Sequence, residues 1–139
     1  MKIVLQDSTK YLIRFDKGEE VLEGLKSFMK EQGIKACVFN GIGACETPEL
    51  AFYNPHVKEY RKKAFLEEME IASLIGNGSM KDGEPIIHAH GLFTKNDFTS
   101  VGGHVFKLPI SVTCEVFLTK LEGELKRVNN VDFNLNLLD

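Results

Sequence analysis

Ile86-Ile87-His88-Ala89-His90-Gly91-Leu92-Phe93 and, shortly after it, Val101-Gly102-Gly103-His104-Val105-Phe106 decide how this chain is read. Both stretches read as β-strand, and Lys95-Asn96-Asp97-Phe98 between them reads as the turn of a hairpin. Side chains alternate along a strand, so the His-x-His spacing sends His88 and His90 to one face. Three of the four histidines fall within the 17 residues 88–104. A third imidazole from the neighbouring strand, His104, would complete a facial set of three nitrogens with an open position, which suits a divalent metal.

The register of the hairpin decides whether the third histidine joins. Cross-strand partners in an antiparallel pair share a constant index sum. A three-residue loop, 96–98, pairs Lys95 with Thr99 and sets His90 opposite His104. A two-residue loop would turn His104 to the other face, although a bulge at Gly102-Gly103 would absorb one slip. The same face carries Ile86, Leu92 and, beyond such a bulge, Phe106. Imidazoles on an apolar face need partners: a metal, or hydrogen bonds within a sheet or subunit interface. His56, after Asn54-Pro55, reads as an ordinary loop histidine.

Outward from the hairpin, most of the chain reads as strand. Candidates are Tyr11–Phe15, Ile34–Asn40 (apolar enough at 36–39 to be buried on both faces), Leu50–Tyr53, 67–76, 110–119 and, by its alternation, 131–137. Gly41-Ile42-Gly43-Ala44 breaks or bulges the second of these and has neither the spacing nor the Lys-Ser/Thr ending of a phosphate-cradling loop. Asp16-Lys17-Gly18-Glu19 resembles a capping box. Val21, Leu22, Leu25, Phe28 and Met29 then form a helical stripe, so 18–32 is predicted as an amphipathic helix stopped by Gly33. One helix among seven or so strands implies a single α+β domain, 1–139, with a largely antiparallel sheet and a flanking helix.

Composition narrows the function classes. The 139 residues are 43% hydrophobic and 27% charged, as in ordinary globular proteins. No apolar run reaches the roughly 18–20 residues of a membrane span, and the apolar part of Met1–Asp7 is too short for a secretory signal; a cytoplasmic location is expected. Cys37, Cys45 and Cys114 are odd in number and widely spaced, which predicts three reduced, buried thiols. The net charge of −3 disfavours a grip on nucleic-acid phosphates. Lys58-Glu59-Tyr60-Arg61-Lys62-Lys63 is the one basic cluster, and Glu67, Glu68 and Glu70 follow it. It reads as a solvated segment of mixed charge.

Glu70-Ile71-Ala72-Ser73-Leu74-Ile75-Gly76-Asn77, Asp82-Gly83-Glu84-Pro85-Ile86-Ile87-His88-Ala89-His90, Val101-Gly102-Gly103-His104-Val105 and Thr113-Cys114-Glu115-Val116 occur in that order. Together with Gly41–Ala44 and Leu50–Tyr53 they resemble the PPC domain of plant AT-hook nuclear proteins and of small stand-alone prokaryotic proteins. The likeness covers roughly residues 10–125. It implies an α+β fold, assembly as a homotrimer, and a metal, usually zinc, on His88, His90 and His104. It also carries a DNA-binding or regulatory label. This chain lacks the Arg-Gly-Arg-Pro core of an AT-hook, so a DNA role rests on fold-level analogy.

The His-x-His…His spacing is also similar to that of acetolactate decarboxylase, a zinc enzyme of related architecture. That likeness implies an alternative, a zinc-dependent lyase or hydrolase acting on a small oxyacid held at the metal. Such an enzyme needs acid and positioning residues, for which Glu46 and Glu115 are the candidates. Glu115 is expected on a strand adjacent to that of His104, although an ordinary sheet residue is the competing reading.

Overall fold

The computed structural model describes all residues, 1–139. Strands β1 (Lys2–Gln6), β2 (Lys10–Asp16), β3 (Cys37–Glu46), β4 (Glu49–Asn54), β5 (Glu59–Ala64), β6 (Glu68–Lys81), β7 (Glu84–Thr94), β8 (Ser100–Lys107) and β9 (Ile110–Lys120) form one sheet. Its spatial order is β1-β2-β9-β3-β6-β7-β8-β4-β5, with every neighbouring pair antiparallel. A separate hairpin, β10 (Arg127–Asn130) and β11 (Leu135–Leu138), ends the chain. The expected α+β class holds, with more strands than foreseen.

Helix α1 (Val21–Glu31) covers one face of the sheet. Val21, Leu22, Leu25, Phe28 and Met29 are all buried, as the stripe predicted. The start differs from expectation. Glu20, not Asp16, is the cap: its carboxylate accepts the Glu23 N–H at 2.8 Å and the Leu108 N–H at 2.7 Å, tying the helix to the β8–β9 connection. Glu19 closes a tight turn by accepting the Asp16 N–H. The end is as predicted. Gly33 takes φ +61°, and the Ile34 N–H reaches back to the Met29 carbonyl at 2.8 Å, a Schellman closure with both side chains buried.

Under α1 lies the core, built from Ile13, Phe15, Phe39, Leu74, Ile87, Phe93, Val105 and Val116, among others. The opposite face of the sheet is largely uncovered. Ile34–Asn40 was expected to be buried on both sides. Instead β3 alternates, with Cys37 and Phe39 inward and Val38 44% exposed on the open face. β3 also runs through Gly41–Ala44 without breaking, and the expected bulge appears as register shifts at Gly41/Gly43 and Gly43/Cys45.

Three further corrections concern strands. β1 and β5 were not anticipated; β5 is the basic cluster, and lysines on such an edge discourage pairing with other chains. Residues 131–137 are not one strand. Asn130 Oδ1 accepts the N–H groups of Asp132 and Phe133 at 3.0 and 3.1 Å, Asn134 takes φ +50°, and the chain reverses there. The Asp82-Gly83 turn has φ +52° and +84°, the mirror-image geometry that a two-residue hairpin prefers.

Candidate metal centre

The β7–β8 hairpin takes the register of the three-residue loop, one of the two that the sequence leaves open. His90 pairs with His104 and Thr94 with Ser100, and Lys95 N–H donates to Thr99 O across the turn. No bulge interrupts this ladder at Gly102-Gly103. These glycines serve close approach instead: a Cβ would lie 2.8 Å from the Gly91 carbonyl oxygen at Gly102, and 2.8 Å from the Ala51 carbonyl oxygen at Gly103. The open face therefore carries one continuous row across six strands, Phe117–Asn40–Ile75–His90–His104–Ala51. His88 sits one step along β7, beside Asn77.

The three imidazoles form a nearly equilateral triangle. Ring centroids lie 5.3 Å apart for His88–His90, 5.0 Å for His88–His104 and 5.4 Å for His90–His104. One nitrogen from each lies within 4.8 Å of the other two. Four-coordinate zinc with bonds of about 2.0–2.1 Å brings nitrogens to about 3.3 Å, a closure that small side-chain rotations supply. The Nδ1 of His104 is buried and has no hydrogen-bond partner. A buried ring nitrogen without a partner is costly unless something engages it.

The surroundings keep His88 and His104 neutral. Burial, then the neighbouring His88 and His90, push the His104 pKa down to about 4; Lys62 and Arg127 act in the same direction. Burial, Arg127 and His90 lower that of His88. Neutral imidazole is the form that binds a metal. Tyr60 and Phe106 wall His104 at centroid distances of 5.0 and 4.9 Å, and the Lys62 ammonium sits 3.5 Å over the Phe106 ring.

Sequence reasoning missed Arg127, which is only 9% exposed. Its Nε donates to Ser79 Oγ at 2.7 Å, Nη1 to the Asn136 carbonyl at 2.7 Å and Nη2 to Asn77 Oδ1 at 2.8 Å. Nη2 also lies 3.4 Å from His88 Nδ1. These contacts hold the β10–β11 hairpin against the site. Burial lowers the Arg127 pKa, and every acceptor around the guanidinium is neutral. Nothing marks Arg127 locally, except that it is an arginine opening a strand.

The acidic candidates lie elsewhere. Glu115 is on β9, exposed and opposite Arg14 and Ile42. β9 follows β8 in the chain but stands four strands away from it in the sheet, about 19 Å at about 4.8 Å per strand. Glu46 pairs with Glu68, seven residues along β6 from the level of His90, about 23 Å at about 3.3 Å per residue. Neither reaches the imidazoles. His56 is exposed in a turn, where its backbone N–H donates to Asn54 Oδ1. Cys37, Cys45 and Cys114 are free and buried, with thiol pKa values raised by burial to about 11, 12 and 12. No helix is long and apolar enough to cross a membrane.

Comparison with known proteins identifies the relatives. No curated protein sequence matches the chain. Among solved structures, a "putative DNA binding protein" from Bacteroides thetaiotaomicron is 31% identical over 97% of this chain and 94% of its own, with a TM-score of 0.93. A "metal-containing protein" from Archaeoglobus fulgidus is 36% identical over 99% of both chains, with a TM-score of 0.88. The α-acetolactate decarboxylase of Bacillus subtilis is 16% identical over 92% of this chain and 59% of its own, with a TM-score of 0.56, a likeness of fold alone. The model of the Plants and Prokaryotes Conserved (PCC) domain, the PPC domain named above, matches residues 4–122, and the chain belongs to that family.

Proposed function

We propose that His88, His90 and His104 hold one divalent metal ion, with zinc the best fit to three imidazole nitrogens, in a protein that assembles as a homotrimer. The observation that carries the metal is the triangle of nitrogens within 4.8 Å, one member of which has a buried nitrogen with no other partner. A bound zinc would supply Lewis acidity and a position for an exogenous ligand. The name of the Archaeoglobus relative, a metal-containing protein, agrees with this reading. Assembly is supported by the open face, where Val38, Ile42, Ile75, Leu92 and Phe117 are 44–57% exposed. Apolar side chains gathered on one face call for a covering surface.

DNA is the weaker partner. The cations of β5 are partly neutralised, Lys62 by Glu49 at 3.4 Å, and nearby Lys95 pairs with Glu67 at 2.8 Å. The lyase or hydrolase reading loses its general acid, because Glu46 and Glu115 stand far from the imidazoles. Metal analysis of the purified protein beside a His88→Ala/His90→Ala variant tests the centre: one ion per chain is expected in the first and none in the second. Equal metal in both would sink the assignment. Light scattering tests assembly, and a monomer at micromolar concentration would refute the trimer.

A further inference from the structure

Arg127 has a role that pinning the hairpin does not exhaust. It is a buried cation without a counter-charge: its four acceptors are a hydroxyl, a backbone carbonyl, an amide oxygen and an imidazole nitrogen. A cavity of about 310 Å³ opens beside it, lined by Tyr60, His88, His104, Phe106, Leu135 and Leu137, among others, with no aspartate or glutamate in the wall. A buried charge this close to a divalent ion is costly unless an anion compensates both.

Metal ligation itself sharpens the need. Guanidinium only donates, so at 3.4 Å the Nδ1 of His88 acts as its acceptor. A metal on Nδ1 takes that lone pair. A metal on Nε2 places the ring proton on Nδ1. Either way Arg127 loses an acceptor on its cavity side when the centre is loaded.

From this we infer that the cavity binds a small carboxylate, its anionic group shared between Arg127 and the metal and its short carbon chain against Phe106, Leu135 and Leu137. The apolar wall favours a carboxylate with a hydrocarbon tail over phosphate, which would leave that wall dry and unused. Arginine suits the anionic end, because its planar fork matches a carboxylate. This inference rests on the metal centre proposed above.

The test loads the full-length protein with cobalt(II) and follows its visible d–d spectrum during titration with lactate. Lactamide is the neutral control and inorganic phosphate the competing anion. A saturable change with lactate and none with lactamide is expected, weakened about tenfold or more in Arg127→Met. Because Arg127 also holds the hairpin, Leu135→Phe is the second arm. It leaves the guanidinium in place, narrows the cavity at its apolar wall, and should keep cobalt while weakening the lactate response. Bound cobalt indifferent to lactate, an equal response to lactamide, a response to phosphate alone, or undiminished lactate affinity in Leu135→Phe overturns the carboxylate proposal and leaves the metal centre standing. Failure of the wild-type protein to take up cobalt overturns both.

Discussion

Gly76→Ala tests how the fold sets the position of the proposed metal centre. Gly76 lies on β6 between Phe39 of β3 and Ala89 of β7, on the core side of the sheet. A Cβ there would stand 2.4 Å from the His88 carbonyl oxygen and 2.5 Å from Cζ of Phe39. Real Cβ contacts do not close below 3.0 Å, so β6 and β7 must part by about 0.6 Å at the peptide that carries His88. Phe39 is 5% exposed and backs this position from the core, so neither neighbour yields freely. Overpacking of this kind costs about 1–3 kcal/mol, or about 3–10 °C in Tm for a chain of this length.

The same displacement moves the backbone that carries His88. Side-chain rotation must then absorb it as well before the nitrogens close on one ion to within the roughly 0.2 Å that metal–nitrogen bonds tolerate. Zinc affinity, measured by competition with a chromophoric chelator, should therefore fall together with Tm. Gly18→Ala is the control: φ is +84° and nothing lies within 4 Å, so only backbone strain of about 1–2 kcal/mol applies. It should melt lower and bind zinc normally. A Gly76→Ala protein that melts within about 2 °C of wild type, or binds zinc as wild type does, would refute the close-approach argument.

Other outcomes follow from single groups. The depressed His104 pKa, about 4 against an ordinary 6.5, means that the unfolded chain binds the proton first as pH falls. Metal-free protein should therefore be at full stability above about pH 6.5 and lose stability as pH drops towards 4, by about 1–2 kcal/mol after allowance for screening at a half-buried site. Urea melts at pH 7 and pH 5 read this, and a His104→Gln protein with the same pH slope would contradict it. Ser79→Ala leaves the Arg127 Nε without its 2.7 Å acceptor at a fully buried site and should destabilise by about 1–3 kcal/mol in the same melts. Glu115→Gln, on an exposed position remote from the imidazoles, should leave zinc stoichiometry intact and stability within about 0.5 kcal/mol. Loss of zinc in that variant would restore Glu115 as a site residue.

What could be read from the sequence was local. Local geometry narrowed the β7–β8 hairpin to two registers, of which the three-residue loop is the one formed, and the spacing of apolar residues set the buried stripe of α1. Strand order was not legible. Glu115 follows His104 by eleven positions, yet β3, β6 and β7 insert between their strands, pairings decided by long-range contacts. Arg127 escaped for the same reason: its partners Asn77 and Ser79 lie about fifty residues earlier. The run at residues 36–39 misled because continuous apolarity marks a strand that is covered on both faces, and one chain alone covers only one face of β3.

That uncovered face bears on how the centre works. His90 is the exposed member of the triangle, paired with Ile75 and two residues from Leu92, which are 57% and 46% exposed. His88 and His104 also line the cavity under the C-terminal hairpin, beside Tyr60 and Arg127. The site thus has two distinct approaches. A second copy seated on Ile75 and Leu92 would exclude water from the His90 side without touching the cavity, and a small ligand would still enter beside Arg127. Coverage on one side strengthens each electrostatic contact on the other, because charges interact more strongly where water is removed. Three histidines on an exposed face would therefore make a better ligand site in the proposed trimer than in one chain, with the apolar residues around His90 supplying the covered side.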